Sequence, residues 1–95
     1  MTYLSFTFDD GFLTHYDVAK ELYRRDIMST FFIITGLQEY NSRSLLLSKP
    51  LLVRDIADMG HEIGSHAHTH KELTNIPVKE IEKECLNSVR TLDGV

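Results

Sequence analysis

Three histidines fall at alternate positions in the segment His66-Ala67-His68-Thr69-His70. His66 and His70 are four apart, which puts both imidazoles on one side of a helical turn or a tight loop. In an extended chain all three would share one face. Two imidazoles plus one carboxylate make a three-ligand set for a catalytic divalent ion and leave a position open for water. Alone, the His-x-x-x-His pair reads equally well as a polar surface loop. Asp9 and Asp10 add two adjacent carboxylates before Gly11. Adjacent carboxylates at a strand end point in different directions, so one can hold a metal while the other acts as a base. An Asp-Asp-Gly turn is common in its own right, so only the combination of the two clusters is specific.

The elements that must position these groups alternate along the chain. Tyr3 to Phe8 has large apolar residues at Leu4, Phe6 and Phe8, a strand pattern. Thr14, with Asp17 three residues on, marks a helix start, and that helix fades near Asp26. Thr30 to Thr35 is a continuous β-branched and aromatic run, as expected of a parallel strand buried on both faces. Leu37 to Leu47 reads as a loop leading to a helix opened by Ser48-Lys49-Pro50, with Leu52, Ile56 and Met59 at helical spacing and Gly60 as its stop. Glu62 to Ser65 is a third, short strand. Pro77 opens a last helix whose stripe Val78, Ile81, Cys85, Val89 and Leu92 places Cys85 inside. His15 is expected at the surface, His61 in a turn or supporting the ligands, and Asn75 at the cap of the last helix. The order βαβαβ-loop-α predicts an α/β fold with a parallel sheet. In such sheets chemistry lies at the carboxyl ends of the strands, so the Asp9-Asp10 and His66-His70 clusters should share one edge.

The 95-residue chain allows one domain at most, with a thin margin for a core. A net charge of -4 with scattered Lys and Arg gives no basic stripe for nucleic acid. No apolar run is long enough to span a bilayer. Cys85 is the single cysteine, so no intrachain disulfide can form. No signal-peptide pattern follows Met1, which makes a cytoplasmic location the default expectation.

Thr7-Phe8-Asp9-Asp10-Gly11, followed by Glu62-Ile63-Gly64-Ser65-His66-Ala67-His68-Thr69-His70, resembles the first two motifs of the polysaccharide deacetylase family. This group contains the chitin and peptidoglycan deacetylases of carbohydrate esterase family four. Ser29 to Gly36 is similar to that family's second strand, and Met59 to His70 to its helix end, third strand and metal loop. The resemblance implies a distorted (β/α) barrel, of which residues 1–95 would be the N-terminal portion. It implies Asp10, His66 and His70 as ligands of zinc or a similar divalent ion, and Asp9 as general base. The implied reaction hydrolyses an N-acetyl, less often O-acetyl, group on a carbohydrate and releases acetate. Two departures stand out. The later motifs, an Arg-x-Pro-Tyr and a Leu-x-His, are not found before Val95. Ala67 stands where the family usually has Ser or Thr, which removes a hydroxyl that braces the loop. His68 reads as a bystander.

Three readings compete. The chain is a deacetylase segment completed by a complementary C-terminal chain or by self-association, since three strands leave open edges. Alternatively it is a truncated module of the same fold that binds metal or a partner without turnover. A third reading, an amide hydrolase of this fold acting on a small molecule without metal, is disfavoured by the retained Asp10, His66 and His70.

Overall fold

The computed structural model describes residues 2–95. Strands β1 (Thr7–Phe8), β2 (Thr30–Ile33) and β5 (Glu62–Ser65) form a parallel sheet in the order β1-β2-β5. Helix α1 (His15–Arg24) connects the first pair, and helix α2 (Pro50–Asp58) leads into β5. Helix α3 (Val78–Asp93) follows the histidine loop. The α/β class with parallel strands expected from the alternating pattern is what is observed. Thr7 pairs with Thr30, and Thr30 in turn with Glu62, so β2 is the central strand.

The core lies between the sheet and α1 and α2. Ala19, Phe31, Ile33, Leu46, Val53 and Ile56 are buried there, with Phe8 stacked on Phe31 at 4.9 Å between ring centroids. Burying each large aliphatic or aromatic side chain contributes about 1.5–3 kcal/mol relative to exposure. The other sheet face is less covered. Phe31 and Ile33 are buried but Thr30 and Phe32 only half so, which corrects the expectation of a strand buried on both faces. The first strand is also shorter than expected. Phe6 offers its carbonyl to the Thr30 amide at 3.0 Å, but Tyr3 and Leu4 lie 84% and 80% exposed.

Helix α1 starts where Thr14 and Asp17 indicated, yet the Thr14 side chain makes no cap bond. Its hydroxyl instead accepts from Arg43 at 3.3 Å, and Asp17 favours the positive end of the helix dipole. At the far end, Asp26 adopts a left-handed φ of 59°. Its amide donates to Tyr23 and the next amide, Ile27, to Leu22, which is the Schellman pattern of helix termination.

The Leu37 to Leu47 stretch, expected to be loop, holds a small hairpin: β3 (Glu39–Tyr40) and β4 (Arg43–Ser44). Asn41 and Ser42 between them have φ of 51° and 60°, the signature of a tight two-residue turn. A short 3-10 turn at Leu46–Ser48 precedes α2.

The last helix departs from its periodic pattern. Val78 and Val89 are 71% and 52% exposed, and Cys85 is exposed rather than inside. The buried positions are Glu84 and Ser88. Hydrogen bonding to the sheet and the histidine loop rotates α3, overriding the apolar stripe. Asn75 does not cap this helix; Pro77 occupies the cap position, and the Asn75 amide bonds to Glu72 instead.

His61 is buried, not in an open turn. Its Nδ1 accepts from the Ser29 amide at 3.0 Å, so its Nε2 carries the proton and donates to the Ala19 carbonyl at 2.9 Å. One imidazole thus ties α1 to the starts of β2 and β5.

Candidate metal centre

The chain just beyond β2 holds both polar loops. The Ile34 amide donates to the Asp10 carbonyl at 3.3 Å on one side. The Thr35 amide donates to the Ala67 carbonyl at 3.2 Å on the other, and the Gly36 amide to the His68 carbonyl. Gly36 is required there, because a Cβ would lie 2.5 Å from the His68 oxygen. The central strand therefore places the ends of both edge strands at one rim.

Asp10, His66 and His70 converge at that rim. One carboxylate oxygen, Asp10 Oδ1, lies 3.1 Å from His66 Nε2 and 3.2 Å from His70 Nε2. All three candidate ligand atoms lie within 4.8 Å of one another. Ligands about 2.0–2.1 Å from a tetrahedral ion are necessarily about 3.3 Å apart, so the carboxylate-to-imidazole spacings fit a divalent cation. The donor set fits as well: two imidazoles and one carboxylate. All three side chains are part-exposed, so the centre is open to solvent. Asp9, next to Asp10 in the chain, is exposed and is not among the converging atoms.

Asp10, Ala67 and His70 take left-handed φ values of 78°, 65° and 60°. Non-glycine residues hold such values only where surrounding contacts impose them, commonly at functional sites. Ala67 lacks the hydroxyl expected of its position, but its amide donates to Ser65 Oγ at 3.2 Å, so the loop is braced from β5.

Tyr40 was not singled out in the sequence as a neighbour of the site. The Tyr40 ring lies 4.5 Å from the His70 ring, carried there by the β3–β4 hairpin. That hairpin docks through the Leu13 amide to the Ser44 carbonyl and the Leu46 amide to the Gly11 carbonyl. The Asn41-Ser42 pair was the available signal, weakened by the lack of a glycine. His15, expected at the surface, packs against Phe8, Phe12 and Phe31. Its buried Nδ1 has no hydrogen-bond partner among the described residues. Burial and the nearby Arg43 lower its pKa, against the raising effect of Asp10 and Asp9. His68 turns away from the three converging residues, with its Nδ1 3.0 Å from Thr35 Oγ1.

A family model described as Polysaccharide deacetylase matches residues 2–95. The chain belongs to the polysaccharide deacetylase family. It is 32% identical over 89 residues to a chitooligosaccharide deacetylase of Bradyrhizobium sp. (strain ANU 289), an alignment covering 90% of the chain and 36% of that protein. It is 28% identical over 91 residues to a peptidoglycan-N-acetylglucosamine deacetylase of Listeria monocytogenes, covering 94% of the chain and 18% of that protein. Among solved structures, the Streptococcus pyogenes deacetylase PplD, in complex with acetate, superposes with a TM-score of 0.81 at 26% identity. That match covers 95% of this chain and 39% of PplD. The chain thus spans well under half the length of these relatives. Among the described residues, no helix is long and apolar enough to cross a membrane.

Proposed function

We propose that this chain carries the metal site and general base of a hydrolase that removes N- or O-acetyl groups from carbohydrate. The observation that carries this reading is the position of Asp10 Oδ1 between the Nε2 atoms of His66 and His70. Those three residues would hold the divalent ion. Zinc is the first candidate for two imidazoles and a carboxylate, although such sites select poorly among first-row ions. A bound ion supplies Lewis acidity to the acetyl carbonyl and lowers the pKa of the attacking water. Asp9, exposed and next to Asp10 in the chain, would take the proton of the attacking water. Tyr40, against His70, limits how far that ring can swing. The names of the relatives point to acetylated amino-sugar polymers as the substrate class.

Residues 1–95 are, in this proposal, the N-terminal portion of the deacetylase domain. The two edges of the β1-β2-β5 sheet and the exposed Val78 and Val89 support completion by a complementary chain or a second copy. The same open centre also suits a module that binds metal without turnover, and one assay separates the two.

The assay measures acetate released from an acetylated chito-oligosaccharide by the purified chain with zinc. Asp10→Asn should abolish metal binding and activity together. Asp9→Asn should keep the metal and lose activity by about 10²–10⁴-fold. Metal binding without acetate release, with or without an added C-terminal chain, would sink the enzyme reading.

A further inference from the structure

Helix α3 turns two polar residues, Glu84 and Ser88, into the fold one turn apart, and both are buried. Glu84 reaches the histidine loop, and Ser88 reaches Thr35 and Ser65 beside it. Glu84 Oε1 accepts the Thr69 amide at 3.0 Å and the Thr69 hydroxyl at 2.8 Å. Thr69 directly precedes His70 in the chain. Glu84 therefore grips the chain with two bonds immediately before a residue whose backbone is left-handed at φ 60°.

Ser88 closes a second chain of bonds. The Thr35 hydroxyl donates to Ser88 Oγ at 2.8 Å, and Ser88 and Ser65 are bonded through their hydroxyls. Because Thr35 spends its one proton on Ser88, it receives from His68 Nδ1–H. Ser65 Oγ also accepts the Ala67 amide. His68 is thereby held off the three converging side chains, while Ala67 is held beside His66.

We propose that Glu84 is a positioning residue for His70, fixing its imidazole toward Asp10 by clamping Thr69, the residue before it. This rests on the metal-site reading given above. A ligand residue in left-handed backbone keeps its direction only if its neighbours impose it, and Glu84 supplies the bonds that do so. The clamp works through an acceptor oxygen rather than a charge. Glutamine retains that oxygen, whereas alanine removes it.

The test uses Co²⁺ as probe, titrated by its visible absorption, on the whole chain and on Asp10→Asn, Glu84→Ala, Glu84→Gln and Thr69→Val. Amide exchange at Thr69 is followed by NMR in the metal-free proteins. Wild type should bind and Asp10→Asn should not. Glu84→Ala should weaken binding by about tenfold or more, while Glu84→Gln stays within about threefold of wild type. The Thr69 amide should lose protection in Glu84→Ala and keep it in Glu84→Gln. A folded Glu84→Ala protein that binds Co²⁺ as wild type does, or a glutamine variant as impaired as alanine, overturns the proposal. Should Glu84→Ala not fold, Thr69→Val decides, since it removes one donor and leaves α3 intact; unchanged affinity there overturns the clamp. Should wild type itself bind no Co²⁺, the metal reading fails separately. The exchange data then judge the clamp alone, and unaltered protection of the Thr69 amide in Glu84→Ala rejects it.

Discussion

At the candidate site three residues without the freedom of glycine sit in left-handed backbone: Asp10, Ala67 and His70. Such geometry costs an L-residue about 1–2 kcal/mol, less for Asp, which bonds locally. Ala67 has no polar group to compensate, so its amide bond to Ser65 and its carbonyl bond from Thr35 carry the cost. His15 illustrates a different local conflict. Its ring is packed among Phe8, Phe12 and Phe31, and burial followed by the Arg43 charge holds its pKa below the ordinary value of about 6.5. The folded protein favours the neutral ring, while the unfolded chain takes up a proton first as pH falls. The stability this provides is complete above about pH 6.5 and is lost as the pH drops toward the folded-state value. His15→Phe should therefore flatten the loss of urea midpoint between about pH 7 and about pH 5. A variant as acid-sensitive over that interval as wild type would show that His15 does not titrate this way.

Among the elements, α1 shows what a terminator costs. Its Schellman ending puts Asp26, not glycine, at a φ of 59°. Asp26→Gly should raise unfolding stability by about 0.5–1 kcal/mol, seen as a higher urea midpoint at unchanged slope. A neutral or destabilising result would mean that the Asp26 side chain contributes locally. Much of the fold was legible because its signals are local. Thr14, Pro50 and Pro77 mark the helix starts, and the Thr30 to Ile33 run and Glu62 to Ser65 are strands. That the Asp9-Asp10 and His66–His70 clusters share one rim followed from their places after strand ends in a parallel sheet, whereas the choice of Asp10, His66 and His70 within them came from the family resemblance. What escaped was decided at a distance. The face of α3 is set by Thr69, Thr35 and Ser65, which reward buried Glu84 and Ser88 over an apolar stripe. The β3–β4 hairpin has two-residue strands, too short for alternation to register, so Tyr40 could not be placed against His70.

For the molecule as a whole, the sheet is held from its middle. β1 contributes two residues to the pairing with β2, and beyond Phe8 its continuation is secured by single bonds such as Ile34 to Asp10. Binding that requires the folded arrangement stabilises it by mass action. Zinc at about a hundred times its Kd should add about 2.7 kcal/mol and raise Tm by about 10–20 °C for a domain of this size. Asp10→Asn should show no such rise in a calorimetric scan. Asp10 extends from one outer strand and His66 from the other, with β2 between them. A cation seated among them would act as a rivet across the full width of the sheet. Its loss to a chelator would then loosen β1 first, well ahead of the hydrophobic centre, so that depletion of the ion and fraying of the amino-terminal edge become one event.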